Sequence, residues 1–189
     1  METLETGNFY HIYNHAYAKE VLFKDEGDYT FFMKQLKKFV LPVCEVFAYC
    51  LMPNHFHLVI RLREKYIESE EDIKNGLEVS RKLSHLFNSY AQAYNKKYKR
   101  KGGLFQRPFK RKRIESESYL LKLIHYVHYN PVAHGFVNNV EDWKYSSYNS
   151  IISGKVQLIS TPDIIELFND MDNFIYCHSV EPLISGIDD

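Results

Sequence analysis

The chain has 189 residues, of which 45% are hydrophobic and 25% charged, ordinary usage for a globular protein. That length can bury one core and suits a single domain with or without an appendage, and the composition excludes disordered, collagenous and disulfide-stapled chains. The 24 basic and 24 acidic residues cancel to a net charge of zero, a balance that by itself argues against a generic nucleic-acid binder.

In chain order, Asn8 to Tyr17 (NFYHIYNHAY) is rich in β-favouring aromatics and reads as a strand. Residues 25–40 open with acids and place Phe32, Leu36, Phe39 and Val40 at helical spacing, ahead of Pro42. CEVFAYCLM (44–52) and HFHLVIRL (55–62) read as two strands joined by a turn at Pro53-Asn54. The polar stretch 64–75 reads as a loop or exposed helix. Residues 77–98 form a long helix with Leu77, Leu83, Leu86, Phe87, Tyr90 and Tyr94 on one side, ended by Gly102-Gly103. FKRKRIES (109–116) looks like a short strand. Residues 115–130 make a helix with a Leu120-Ile124-Val127 stripe, closed by Pro131. The remainder carries a Trp-containing segment (142–152) and a helix around 162–170. This order predicts an α+β fold of ferredoxin-like type, an antiparallel sheet with helices on one face.

No apolar run approaches the ~20 residues that span a bilayer, and the N-terminus lacks a signal-peptide layout. Cys44, Cys50 and Cys177 are odd in number and lack metal-type spacing, so they read as free thiols and the cytoplasm as the compartment.

Three clusters carry chemistry. In a strand, His55 and His57 point to one face while Phe56 points to the other. Such a pair is a plausible half of a metal site, though a bare pair of this spacing is more often two surface or hydrogen-bonded strand histidines. Tyr126 and Asn130 share one helix face, with Lys122 a turn earlier as possible catalytic support. A phenol beside a cation can lose its proton during attack, and an Asn carbonyl can ligate Mg²⁺ or Mn²⁺. The same residues also read as an interfacial tyrosine and a helix-ending asparagine. Residues 96–113 hold ten cations and no acid: Lys96, Lys97, Lys99, Arg100, Lys101, Arg107, Lys110, Arg111, Lys112 and Arg113. Interleaved with Tyr98, Phe105 and Phe109, this block favours polyanion binding, with rings that can stack on unpaired bases.

Together the motifs resemble a known family. YCLMPNHFHLVI (49–60) is similar to the HUH motif strand of single-tyrosine HUH transposases, and YVHYNPVAHGFV (126–137) to their tyrosine helix and NPV turn. WKYSSY (143–148) resembles the W-x-YSSY segment that often follows. The nearest branch is the REP-associated tyrosine transposases and their insertion-sequence relatives, and the resemblance spans about residues 8–150. It implies a ferredoxin-like HUH endonuclease fold over residues 1–152, with 153–189 as an extension of unassigned role. It further implies a divalent metal, Mg²⁺ or Mn²⁺, on His55, His57 and Asn130, with Tyr126 as the nucleophile. The implied substrate is single-stranded DNA near hairpins, cleaved through a 5′-phosphotyrosine and rejoined to another 3′-hydroxyl, by a monomer or a homodimer. Ala133-His134-Gly135 departs from the family, which often carries an Arg before the Ala-Gly pair, so one phosphate contact would be missing.

Two competing readings remain. One is a catalytically silent, domesticated hairpin DNA-binding protein. The other is a zinc hydrolase, in which an Asp or Glu rather than Asn130 would converge on the two histidines. The zero net charge itself resolves into opposites: the basic block, and residues 115–189 with eleven acids against three Lys. It suggests one positive groove and a tail that shields it.

Overall fold

The computed structural model describes residues 2–18, 20–63, 76–154 and 158–183, so the expectation for 64–75 lies outside the described residues. Strand β1 (Phe9–His15) leads to α1 (Glu26–Phe39), then the hairpin β2 (Cys44–Leu51) and β3 (His55–Leu62). Helix α2 (Leu77–Lys97) precedes β4 (Lys110–Ile114), and α3 (Glu117–Ala133) follows. After a 3₁₀ turn at Val140–Asp142 come α4 (Tyr148–Ser153), α5 (Thr161–Leu167) and α6 (Met171–His178). The strands form one sheet in the order β2-β3-β1-β4, with every neighbouring pair antiparallel. This is the βαββαβ arrangement of a ferredoxin-like fold.

Local chemistry explains the boundaries. Asp25 caps α1 by accepting from Asp28 N–H, and the Asp28 side chain reaches back in a reciprocal capping box. Asp28 is itself buried and accepts from Lys24 N–H, Tyr98 Oη and Lys97 Nζ at 2.7–2.8 Å, which fastens the end of α2 to the start of α1. Gly76 begins α2 at φ +57, and a Cβ there would lie 2.1 Å from the Leu4 carbonyl oxygen, so the close approach requires glycine. Phe56 sits between Phe32 of α1 and Phe87 of α2. That face of the sheet, with Tyr10, Ile12, Leu58 and Ile60, forms the main core.

Helices cover both faces of the sheet, contrary to the one-face expectation. The second cover is α3, which meets the side carrying His55 and His57. It also runs through Pro131 to Ala133, since the proline removes one N–H while His134 N–H still bonds the Asn130 carbonyl. The C-terminal part forms two helices, α5 and α6, where one around 162–170 was expected.

The described part of this tail does not lie along the basic block. Residues 145–147 and 158–160 run beside the outer edge of β2, through Leu51 N–H to Tyr145 O, Ser147 N–H to Tyr49 O and Ser160 N–H to Val46 O. β4, which carries four of the cations, is the opposite edge. The shielding expectation therefore fails for the described residues. Cys44, Cys50 and Cys177 are free, and no described helix is long and apolar enough to cross a membrane.

A buried histidine relay docks α6 on α3. His178 Nδ1–H donates to Phe174 O (2.7 Å), which leaves Nε2 to accept from His128 Nδ1–H (2.9 Å). His128 Nε2 then accepts from Ser147 Oγ–H. Every position is filled only if both rings are neutral. Burial pushes His178 down to about 3 and holds His128 well below its ordinary value. The unfolded chain takes up protons that the folded one refuses. This stabilisation is therefore complete above about pH 6.5 and is lost as the pH falls toward 3, by up to about 1.4 kcal/mol per pH unit for each group. The thermal midpoint should fall between about pH 7 and pH 4, and His178→Phe should flatten part of that slope in a calorimetric pH series.

Candidate functional site

The alternation of β3 builds the site. Phe56 anchors the strand in the core, so His55 and His57 face α3. β1 pairs in register beside them, with His15 opposite His55 and Tyr13 opposite His57. His57 Nδ1 and His11 Nε2 are 2.9 Å apart, and both rings are fully buried. His15 stacks on His55 with centroids 4.9 Å apart, and His134, just past α3, meets the same ring at 5.3 Å. Burial, and then the neighbouring histidines His11, His55, His15 and His134, hold the His57 pKa well below its ordinary value, so the ring is neutral near pH 7.

From α3, capped by Ser116 Oγ on Tyr119 N–H, Tyr126 and Asn130 descend onto the pair one turn apart. Asn130 Oδ1 lies 3.0 Å from His55 Nε2, and its Nδ2 lies 3.5 Å from His57 Nε2. His55 Nδ1–H donates to Asn54 Oδ1 at 2.8 Å, which leaves a lone pair on Nε2. The Tyr126 ring stands edge-on to His57, with centroids 5.7 Å apart. Tyr126 is 8% exposed and Asn130 1%, because the sheet covers one side of α3 and the tail the other.

The two imidazoles and the Asn130 carboxamide thus meet at one place between β3 and α3. Two ligands about 2.1 Å from a small divalent cation stand roughly 3.0–3.4 Å apart in octahedral or tetrahedral geometry, so the 3.0 Å between His55 Nε2 and Asn130 Oδ1 fits such an ion, while the 3.5 Å contact to His57 is made by the amide nitrogen, which is not a ligand. The amide oxygen is a ligand of the kind that Mg²⁺ and Mn²⁺ take, whereas neutral imidazole also serves Zn²⁺, Cu²⁺, Fe²⁺ and Ni²⁺. Among the described residues no group of three or more His, Cys, Asp or Glu side chains could hold a metal. The carboxylate required by a zinc hydrolase is therefore not found there, and Asn130 occupies that place.

The basic block divides. By register with Tyr13 and His11, Lys110 and Lys112 project on the histidine face, with their ammonium groups 5.4 Å from the Tyr13 and Tyr119 rings. Arg111 turns the other way, to Ser80. Lys97 is paired with Asp25 and Asp28, Arg100 with Glu20, and Arg113 with Glu5. Lys96, Lys99, Lys101 and Arg107 are exposed. Lys122 lies on the surface beside the tail, in a groove with His125, Phe168 and Tyr176. The sequence reading missed His11, Tyr13, His15 and His134. The first three repeat on β1 the same period-2 spacing that marked His55 and His57.

No family model matches the chain. Over 118 residues it is 32% identical to the "Putative REP-associated tyrosine transposase" of Haemophilus influenzae, covering 59% of this chain and 63% of that protein. The chain resembles REP-associated tyrosine transposases. It spans somewhat less than two thirds of that relative's length. A solved REP-associated tyrosine transposase bound to a REP hairpin superposes with a TM-score of 0.61 over 87% of this chain and 90% of its own, at 16% identity. The ferredoxin-like architecture is thus shared with a REP-associated transposase.

Proposed function

We propose that the protein is a single-tyrosine HUH transposase of the REP-associated branch, which cuts and rejoins single-stranded DNA beside a hairpin. The observation that carries this reading is the convergence of His55, His57 and Asn130 beneath Tyr126. Residues 1–152 form the transposase unit, and 153–189 an extension whose helix α6 buttresses α3 from behind.

The Tyr126 oxygen attacks the scissile phosphorus while the bond to the 3′-oxygen breaks and the phenolic proton leaves. The product is a 5′-phosphotyrosine and a free 3′-hydroxyl. The new phosphodiester resembles the old one in energy, so a second 3′-hydroxyl can reverse the step with no nucleotide cofactor. His55, His57 and Asn130 would hold the divalent ion, whose chemistry is to polarise the phosphate and offset its developing charge. Asn54 and His11 each fix one histidine through Nδ1, directing Nε2 inward. Lys110 and Lys112 stand on the same face and neutralise phosphates near the scissile bond. Lys96, Lys99, Lys101 and Arg107 extend this positive surface, whereas Lys97, Arg100 and Arg113 are mainly engaged in ion pairs.

With a labelled hairpin-bearing single strand and Mn²⁺ or Mg²⁺, the wild-type chain should give a denaturant-stable protein–DNA adduct. Tyr126→Phe should abolish the adduct and leave hairpin affinity within about twofold. A surviving adduct would overturn the assignment of the nucleophile, and hairpin binding with no cleavage by the wild type would point to the silent binder. His11→Phe should weaken Mn²⁺ binding about 10- to 100-fold in a paramagnetic-resonance titration without changing metal-free hairpin affinity.

A further inference from the structure

Past Asn130, the face of α3 that carries the tyrosine continues for one more position. Tyr126, Asn130 and His134 are spaced four apart, so they follow one another along one side of the helix, each about 6 Å of axis from the next. They meet the histidine pair in the same order. Tyr126 stands edge-on to His57, Asn130 reaches both imidazoles, and His134 crosses His55 at 61° with centroids 5.3 Å apart. The rings of His55 and His57 are themselves 5.1 Å apart. Of the five histidines gathered here, His11, His55 and His57 are buried and His15 is half-buried, whereas His134 is exposed at the rim. Its backbone N–H closes α3 on the Asn130 carbonyl at 3.0 Å, so the cap does not need the ring.

We propose that His134 is a catalytic residue, which donates a hydrogen bond to the 3′-oxygen leaving the scissile phosphate. A phosphoryl group displaced in line has its attacking and departing oxygens on opposite sides of phosphorus. With the phosphate seated over Asn130 and the two imidazoles, attack comes from the Tyr126 side and the departing oxygen faces the His134 side. Negative charge gathers on that oxygen as its bond to phosphorus breaks, and a positioned N–H acts most strongly where charge develops. An imidazole carries an N–H in either charge state, so the role does not depend on its titration. The electron pair of the broken bond stays on the 3′-oxygen, which takes a proton from water, while the phenolic proton of Tyr126 passes to water. No further reactant is consumed. In the rejoining step the same ring holds the incoming 3′-oxygen in line with the phosphotyrosine. The inference rests on the proposed cleavage by Tyr126 and adds to it the group on the leaving side.

The test compares single-turnover adduct formation with Mn²⁺ on two hairpin-bearing strands that differ at one atom, an ordinary 3′-oxygen or a 3′-bridging sulfur at the scissile position. Sulfur departs as a weakly basic thiolate and needs little help from a donor. His134→Ala should slow the oxygen strand about 100-fold and the sulfur strand by about threefold or less. His134→Gln, which keeps an N–H, should recover about tenfold on the oxygen strand. Hairpin affinity without metal, Mn²⁺ affinity by paramagnetic resonance and the thermal midpoint should stay at the wild-type values in both variants. An unchanged oxygen rate in His134→Ala would overturn the leaving-group role while leaving Tyr126 as the nucleophile. So would equal slowing of both strands, the mark of a contact to a nonbridging oxygen, or a loss of Mn²⁺ affinity. Wild type that forms no adduct on either strand would overturn both readings.

Discussion

The pairing of β1 with β3, which sets His15 opposite His55 and Tyr13 opposite His57, is the constraint from which the site follows. Alternation along both strands then leaves no choice about which side chains meet. A slip of one residue would drive His55 and His57 toward Phe32 and Phe87 and send Phe56 out against α3. The aromatic core on one face and the imidazole hydrogen bonds on the other favour the same register. The His11–His57 contact, entirely out of water, adds a polar penalty to every alternative. α3 can bring an amide to this point because it is itself held on two sides. That explains why its buried residues, from Leu120 through His128 to Asn130, do not keep to a single stripe.

Charge is arranged on the same frame. A formal total of zero hides cations concentrated at the end of α2 and on β4, while the acid-rich tail lies along β2 and behind α3. Screening at physiological salt acts over ~8 Å, so edges separated by two inner strands retain distinct electrostatic characters. Within the basic segment, Lys97 and Arg100 secure the ends of helices and loops, and other cations face outward. Composition counts these two kinds alike, and only their partners separate them.

Much of this was legible because it is local. The HFH alternation, the Pro53-Asn54 turn, the acids opening α1 and the Tyr126–Asn130 spacing are each contained within a few residues. What was not legible depends on distant partners. Lys97 meets Asp25, 72 positions away, and nothing near either residue announces it. The second cover on α3 comes from α6, through His128 and His178, 50 positions apart. Without it, the stripe of Leu120, Ile124 and Val127 suggested a helix packed on one side only. β1 is the intermediate case. Its HIYNH carries the same spacing as HFH, but its aromatics already sufficed to mark a strand, and the histidines were absorbed into that reading.

The two borders of the sheet are finished differently. Along β2 the chain covers its own backbone with residues 145–147 and 158–160. At β4 the outer strand is only five residues long and four of them are Lys or Arg, with Arg113 N–H taken by the Glu2 carboxylate. A short border of like charge repels its counterpart on a second molecule, so two sheets cannot zip together there. The cations beside the tyrosine therefore also protect the chain against edge-to-edge aggregation.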